Sequence, residues 1–246
     1  MNSFYEQISD RSKKRFAILV DPDKYDDASL DILMGHINQH PPDLLLVGGS
    51  ILFNPIDLTI TSLKLGTHLP VFLFPGNVMQ LSDRADGILF LSLISGRNSE
   101  FLIGNHVLAA PHLDRSGIEV IPTGYLLIEN GRSTSVEYMS NTRPIPAGKP
   151  ELGVSTAMAG EMLGMKAIYL EAGSGAEHTV GLDMITAIRR KISLPLIVGG
   201  GITTSDRAEE VYRAGADMIV VGTALEQQPE LVKEFCKLRD DLNTPG

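Results

Sequence analysis

Eight short apolar runs recur along the chain, and segments with apolar residues at helical spacing lie between most of them. They are Phe16–Val20, Leu44–Val47, Val71–Phe74, Gly87–Ser92, Glu119–Ile128, the run opening at Ala167, Leu194–Val198 and Asp217–Val221. None alternates polar with apolar residues, so each reads as a strand buried on both faces, as in a parallel sheet. Most stop at glycine or proline. A closed TIM (β/α)8 barrel is the economical fold, and 246 residues suit a single barrel domain spanning 1–246. A doubly wound open sheet is the alternative. No G-x-G-x-x-G opens a helix after the first run, which weakens it.

Helices are expected over residues 1–14 (Phe4 and Ile8 on one face), 28–39, 151–164, 182–191, 205–214 and 229–242. Two more run through Leu58, Ile60, Leu63 and Leu65, and through Leu102, Ile103 and Val107. Residues 78–84 are too few for a crossover helix, so the third βα unit is read as modified and irregular. Residues 129–149 form one long polar loop, a length that is usually functional or mobile.

The net charge of −9 argues against a general nucleic-acid binder, which needs a basic face. It does not exclude anionic substrates, because backbone N–H groups and a metal act locally. The single cysteine, Cys236, permits neither an internal disulfide nor a cysteine-based zinc site. Met1–Gln7 carries no apolar core of signal-peptide length, and no stretch reaches the ~20 apolar residues of a membrane span. A cytoplasmic protein is the expectation.

In a barrel, chemistry gathers at the C-terminal ends of the strands. Those ends supply Asp21, Asp23 and Lys24; Gly48, Gly49 and Ser50; Pro75–Asn77; Ser92; Thr123–Tyr125; Tyr169-Leu-Glu-Ala-Gly-Ser-Gly175; Gly199–Gly201; and Gly222 with Thr223. Glycines after two successive late strands suit a phosphate held on backbone N–H groups, with Glu171 acting on the rest of the same molecule. Asp21 and Ser50 are oxygen donors suited to magnesium. None of the six histidines stands directly at a strand end, which disfavours acyl transfer and histidine-ligated zinc. Each feature also has a plainer reading: Asp21-Pro-Asp23 as a helix cap, Gly48-Gly49 as a tight turn, Glu171 as a salt-bridged rim residue, Tyr125 as packing.

Taken together, Leu19-Val-Asp-Pro-Asp-Lys24, Val47-Gly-Gly-Ser50, Pro122-Thr-Gly-Tyr125, Tyr169-Leu-Glu-Ala-Gly-Ser-Gly175, Val198-Gly-Gly-Gly-Ile202 and Val221-Gly-Thr-Ala224 resemble geranylgeranylglyceryl phosphate synthases. The form is that of the archaeal-type branch, related to the bacterial heptaprenylglyceryl phosphate synthases. The resemblance implies a TIM barrel that transfers a prenyl group from a prenyl diphosphate to the 3-hydroxyl of sn-glycerol 1-phosphate, releasing diphosphate. It implies Mg2+ at Asp21 and Ser50. It implies glycerol phosphate on Tyr169, Leu170, Glu171, Ala172, Gly173, Ser174, Gly175, Gly200, Gly201, Gly222 and Thr223, with Lys24 and Tyr125 also facing substrate. Glu171 then accepts a hydrogen bond from the attacking hydroxyl. A dimer or hexamer is expected, with apolar helix residues such as Met158, Met162 and Met165. Two alternatives stand beside it: a phosphosugar isomerase or epimerase on the same barrel, and a non-catalytic assembly subunit.

Overall fold

Alternation along eight parallel strands separates two apolar layers and closes the barrel. In a computed structural model that describes residues 3–244, the strands are β1 (Arg15–Val20), β2 (Leu44–Val47), β3 (Val71–Leu73), β4 (Gly87–Ser92), β5 (Glu119–Leu127), β6 (Ala167–Glu171), β7 (Leu196–Gly199) and β8 (Met218–Val221). They pair in sequence order, and β8 returns to β1. Successive side chains on a strand face opposite sides. Ala17, Leu44, Leu46, Phe72, Leu89, Tyr169, Ile197 and Met218 therefore fill the barrel. Their neighbours Ile18, Leu45, Val71, Ile88, Ile168, Leu196, Val198 and Ile219 form an outer layer beneath the helices.

The helices are α1 (Phe4–Ser9), α2 (Asp27–Gln39), α3 (Ile56–Gly66), α4 (Asn105–Ser116), α5 (Ser135–Ser140), α6 (Pro150–Met162), α7 (Leu182–Arg189), α8 (Ser205–Ala214), α9 (Thr223–Gln227) and α10 (Leu231–Asn243). The leading helix is shorter than residues 1–14, and residues 1–2 lie outside the described residues. It plugs the barrel bottom: Phe4 packs on Phe72 at 5.1 Å, and the Glu119 carboxylate accepts from the Phe4 and Tyr5 amides at 2.8 Å.

Four expectations change. In α3 Ile60 and Leu63 are buried as expected, but Ile56 completes that face and Leu58 and Leu65 point to solvent. Ile103 and Val107 are likewise exposed, since α4 buries Ala109 and Leu113. Of the three methionines expected on the surface, only Met162 is well exposed; Met158 packs against the core and Met165 is half-buried. The 129–149 loop contains α5, capped by the Thr134 side chain, which accepts from the Glu137 amide at 3.1 Å. The third βα unit is indeed modified: a single 3-10 turn, Val78–Gln80, replaces its helix.

Candidate active site at the C-terminal rim

Glu171 ends β6 inside the barrel mouth and is 6% exposed. Tyr169, one strand step below it, is paired in register with Tyr125 of β5. The two rings stack at 5.4 Å with planes 16° apart, and Phe74 lies 5.1 Å from Tyr169. The carboxylate thus stands over an aromatic floor. Its Oε1 accepts from the Gly173 amide at 2.6 Å. Burial raises its pKa to about 7, against the pull of that amide and of the nearby Tyr169 and Tyr125 hydroxyls. The Tyr169 hydroxyl is buried without a hydrogen bond of normal geometry, so its influence on the carboxylate is electrostatic. It fits only because Gly199 has no side chain; a Cβ there would collide with it.

Beside Glu171 the backbone turns its donors outward. Gly173, Gly175, Gly200 and Gly201 all have positive φ, at 106°, 68°, 82° and 67°. Such left-handed positions favour glycine and let consecutive N–H groups converge on an anion. The amides of Ser174, Gly175, Gly200 and Gly201 donate to nothing within the chain among the described residues. A Cβ at Gly200 would press on Glu171 Oε1 and on the Gly173 backbone, so this glycine serves the carboxylate as well as the cradle. Gly222 differs: its φ of −122° is not left-handed, and an added Cβ would meet only Leu19, most tightly its carbonyl at 3.3 Å.

The opposite side of the mouth is acidic. Asp21 is half-buried against Gly49, next to Ser50, because β1 and β2 run side by side with Val20 level with Val47. Its Oδ1 accepts from the Asp23 amide at 3.0 Å. Burial pushes the Asp21 carboxyl up, and Asp23 adds to this. Glu226, from α9, is pushed up by burial and by Asp21. Burial raises both half-buried carboxyl groups, Asp23 raises Asp21 and Asp21 raises Glu226, so this acidic corner favours a cation. The donors fit a hard divalent ion that keeps several waters. Among the described residues no three His, Cys, Asp or Glu side chains form a ready-made metal cage.

From this mouth a cavity of about 900 Å³ extends outward. The missing helix of the third unit explains its course. Ile88 and Phe90 face outward on β4, yet only the 3-10 turn and Leu81 stand where a helix would cover them. The trough is completed by His106 and Ala109 of α4 and by Phe101, while Ser135, Val136 and Met139 of α5 and its cap region line it too. His106 meets Phe90 edge-on at 4.5 Å, and neither of its ring nitrogens has a partner.

Every residue that the resemblance assigned to substrate or metal lines this cavity except Leu170 and Ala172; of the other strand-end residues, Ser92, Thr123, Gly124 and Gly199 do not. Leu170 and Ala172 point outward into the layer under the helices, because strand alternation reserves the inner face for Tyr169 and Glu171. The apolar residues near strands three to five, Phe74 and Phe90 among them, read in sequence equally as core or as a groove for an apolar substrate, and the structure places these two at the cavity. Sequence reasoning missed His106 and Glu226. It also missed Gln80, 2% exposed, whose Oε1 accepts from Gly76 at 3.0 Å and whose Nε2 donates to the Gly49 carbonyl at 2.7 Å. This clamp ties the end of β3 to the loop carrying Ser50. The available signal for the trough was the segment 78–84, too short for a crossover helix; nothing marked Gln80.

A parallel barrel with a backbone anion cradle, a buried carboxylate and an apolar trough belongs among enzymes acting on small phosphorylated molecules. The chain belongs to the PcrB family, whose model matches residues 9–238. It is 46% identical to the geranylgeranylglyceryl phosphate synthase of Spirosoma linguale over 94% of this chain and 93% of that one. The synthase of Korarchaeum cryptofilum is 39% identical over 98% of this chain and 100% of its own length. Among solved structures, (S)-3-O-geranylgeranylglyceryl phosphate synthase from Thermoplasma acidophilum in complex with substrate sn-glycerol-1-phosphate superposes with a TM-score of 0.90. It is 30% identical and covers 98% of both chains.

Proposed function

We propose that the chain is a prenyltransferase that joins a prenyl diphosphate, geranylgeranyl diphosphate by analogy with its relatives' names, to the 3-hydroxyl of sn-glycerol 1-phosphate. The observation that carries this is one cavity holding three parts in order: unpaired amides, a buried carboxylate, and an apolar trough. The amides of Ser174, Gly175, Gly200 and Gly201, with Gly222 and Thr223, receive the acceptor's phosphate. That grip places the far hydroxyl against Glu171. The hydroxyl oxygen bonds to the first prenyl carbon, the bond from that carbon to diphosphate breaks, and the hydroxyl proton passes to Glu171. A carboxylate with a pKa of about 7 is well matched to take that proton at neutral pH. The stacked faces of Tyr125 and Tyr169 offer negative π density to the allylic carbon as positive charge grows on it. Asp21 and Ser50, with Glu226 beside them, would hold Mg2+, which supplies charge neutralisation for departing diphosphate. Lys24, exposed on the same rim, adds a cation for that diphosphate.

The trough accounts for the prenyl chain: Ile88, Phe90, Val78, Leu81 and Ala109 offer an apolar surface that a phosphosugar would leave unused. This favours the transferase over an isomerase. We place the protein in the cytoplasm as a homo-oligomer, using exposed apolar residues of α4 and α6 such as Val107, Leu108, Met162 and Leu163. The direct test is diphosphate release from C10 to C20 prenyl diphosphates with and without sn-glycerol 1-phosphate. Acceptor-dependent release, with radiolabelled glycerol phosphate moving to the organic phase, is expected. No acceptor-dependent release at any chain length would overturn the reading. Calorimetric Mg2+ titration of Asp21→Asn checks the metal corner, and sedimentation checks the assembly.

A further inference from the structure

The loops around the cavity mouth carry large apolar side chains that nothing in the fold covers. Phe53 is 89% exposed, Met79 86% and Tyr138 83%, and Ile51 and Met139 are about half exposed. They come from three separate segments: the loop after β2, the 3-10 turn after β3, and α5. Ile51, Phe53 and Met139 also line the cavity, so the rim is continuous with the trough. These side chains are held out by built contacts. Both oxygens of the Asp23 carboxylate accept at 2.8 Å from the Phe53 and Asn54 amides, fixing that loop in its projecting form. Asn77 accepts from the Met79 amide at 2.9 Å. Tyr138 and Met139 ride on a capped helix. At the C-terminal end of α5 a polar hollow is lined by Arg97, Asn98, Asn141 and Arg143. Neither guanidinium has a carboxylate partner among the described residues.

We propose that this rim is a docking surface for a lipid bilayer, through which the prenyl donor passes directly from the membrane into the trough. The inference rests on the prenyltransferase reading for its donor. A long prenyl diphosphate dwells in a bilayer with its tail among acyl chains and its diphosphate at the headgroups. The rim matches that geometry: apolar side chains enter the interface, and Arg97 and Arg143 meet headgroup phosphates beside them. The trough mouth then opens where the tail already lies. With a net charge of −9, binding through apolar insertion does not require anionic lipid.

The test is co-sedimentation of the full chain with sucrose-loaded phosphatidylcholine vesicles. Wild type is expected to sediment with them. Met79→Ser with Tyr138→Ser, two residues outside the cavity lining, is expected to lose binding by about tenfold per side chain withheld from the apolar phase. Arg97→Ala with Arg143→Ala is expected to weaken it further. Transfer from a C20 donor embedded in vesicles should fall with binding in Met79→Ser/Tyr138→Ser, while transfer from a water-soluble C10 donor stays at the wild-type rate. Absence of wild-type sedimentation, or undiminished sedimentation of the double variant, overturns the proposal. So does self-association that the same substitutions abolish without any vesicle binding, which would give the rim to a second copy of this chain. Vesicle binding without prenyl transfer in any format would retain the docking surface and refute the activity; transfer in solution without vesicle binding would do the reverse.

Discussion

Glu171 is the residue on which activity and stability pull in opposite directions. Its pKa is about 7 when folded and near the ordinary carboxylate value of 4.5 when unfolded. Between those values the folded chain keeps a proton that the unfolded chain has lost, so stability falls as pH rises from about 4.5 to 7 and stays lowered above. Glu171→Gln removes that slope. It is expected to stabilise the protein at pH 8 by up to about 3 kcal/mol, the free energy of the pKa difference, while reducing kcat by roughly 10²–10⁴-fold. The wild-type kcat should rise with pH through about 7, and the variant's should not. A denaturant titration and a pH–rate profile check the two halves separately. The glycines divide in the same way. Gly222→Ala adds a methyl at the cradle that meets only Leu19 and needs no left-handed backbone, so KM for the phosphorylated acceptor is expected to rise with little change for the donor. Gly200→Val instead strains a left-handed position and displaces Glu171, so kcat falls with it. Equal effects of Gly222→Ala on both substrates would place the phosphate elsewhere.

At the scale of elements, the trough exists because one helix is missing. Its floor is the outward face of β4, and its far wall is α4, where Ala109 is 3% exposed and small. Ala109→Phe fills that wall. It is expected to lower kcat/KM for a C20 donor by about tenfold or more, as burying several methylenes of tail is lost at ~0.8 kcal/mol each, while sparing a C10 donor. A uniform loss across donor lengths would put the tail outside the trough. The strands were legible in sequence because each is a continuous apolar run that no helix periodicity explains, and Tyr169 to Gly175 marked the site because a carboxylate at a glycine-rich strand end has few structural uses. Helix faces were less legible. In α3 the expected set Leu58, Ile60, Leu63 and Leu65 was half right: Ile60 and Leu63 are buried with Ile56, and which flank of them faces the barrel depends on the side from which it approaches. The short helix α5 was hidden in a polar stretch, although Thr134 and Glu137 stand at the spacing of a capping box. Glu226 meets Asp21 only because β8 closes on β1, and Gln80 reaches Gly49 only because β3 lies beside β2, so no local pattern betrayed them.

The whole molecule separates its two ends. The rim carries the left-handed glycines, the buried carboxylate and the exposed apolar side chains, whereas the base is tied by paired charges. Asp217, 4% exposed, accepts from Arg189 at 2.7 Å and from the Leu196 amide at 2.9 Å. Asp43 accepts from Arg239 and from the Phe16 amide, both at 2.9 Å. These contacts join β7, β8, α7, α10 and β1 beneath the barrel, at the end opposite the rim. Removing one partner of such a pair strands the other, and the cost exceeds what the pair contributed. Asp217→Ala leaves the Leu196 amide without its acceptor and Arg189 with only the Ile192 and Leu194 carbonyls in place of a carboxylate. It is expected to destabilise the fold by about 3 kcal/mol, lowering the melting temperature by roughly 6–12 °C for a chain of this size. Below the transition its KM values and pH–rate profile should match wild type, since no base residue reaches the cavity. A Glu171→Gln chain should show the converse, a silent melting curve or a raised one with a lost rate. Were Asp217→Ala to shift the pH–rate profile or either KM in its folded state, the base would be coupled to the rim through the strands, and the separation of a stabilising end from a reacting end would fail.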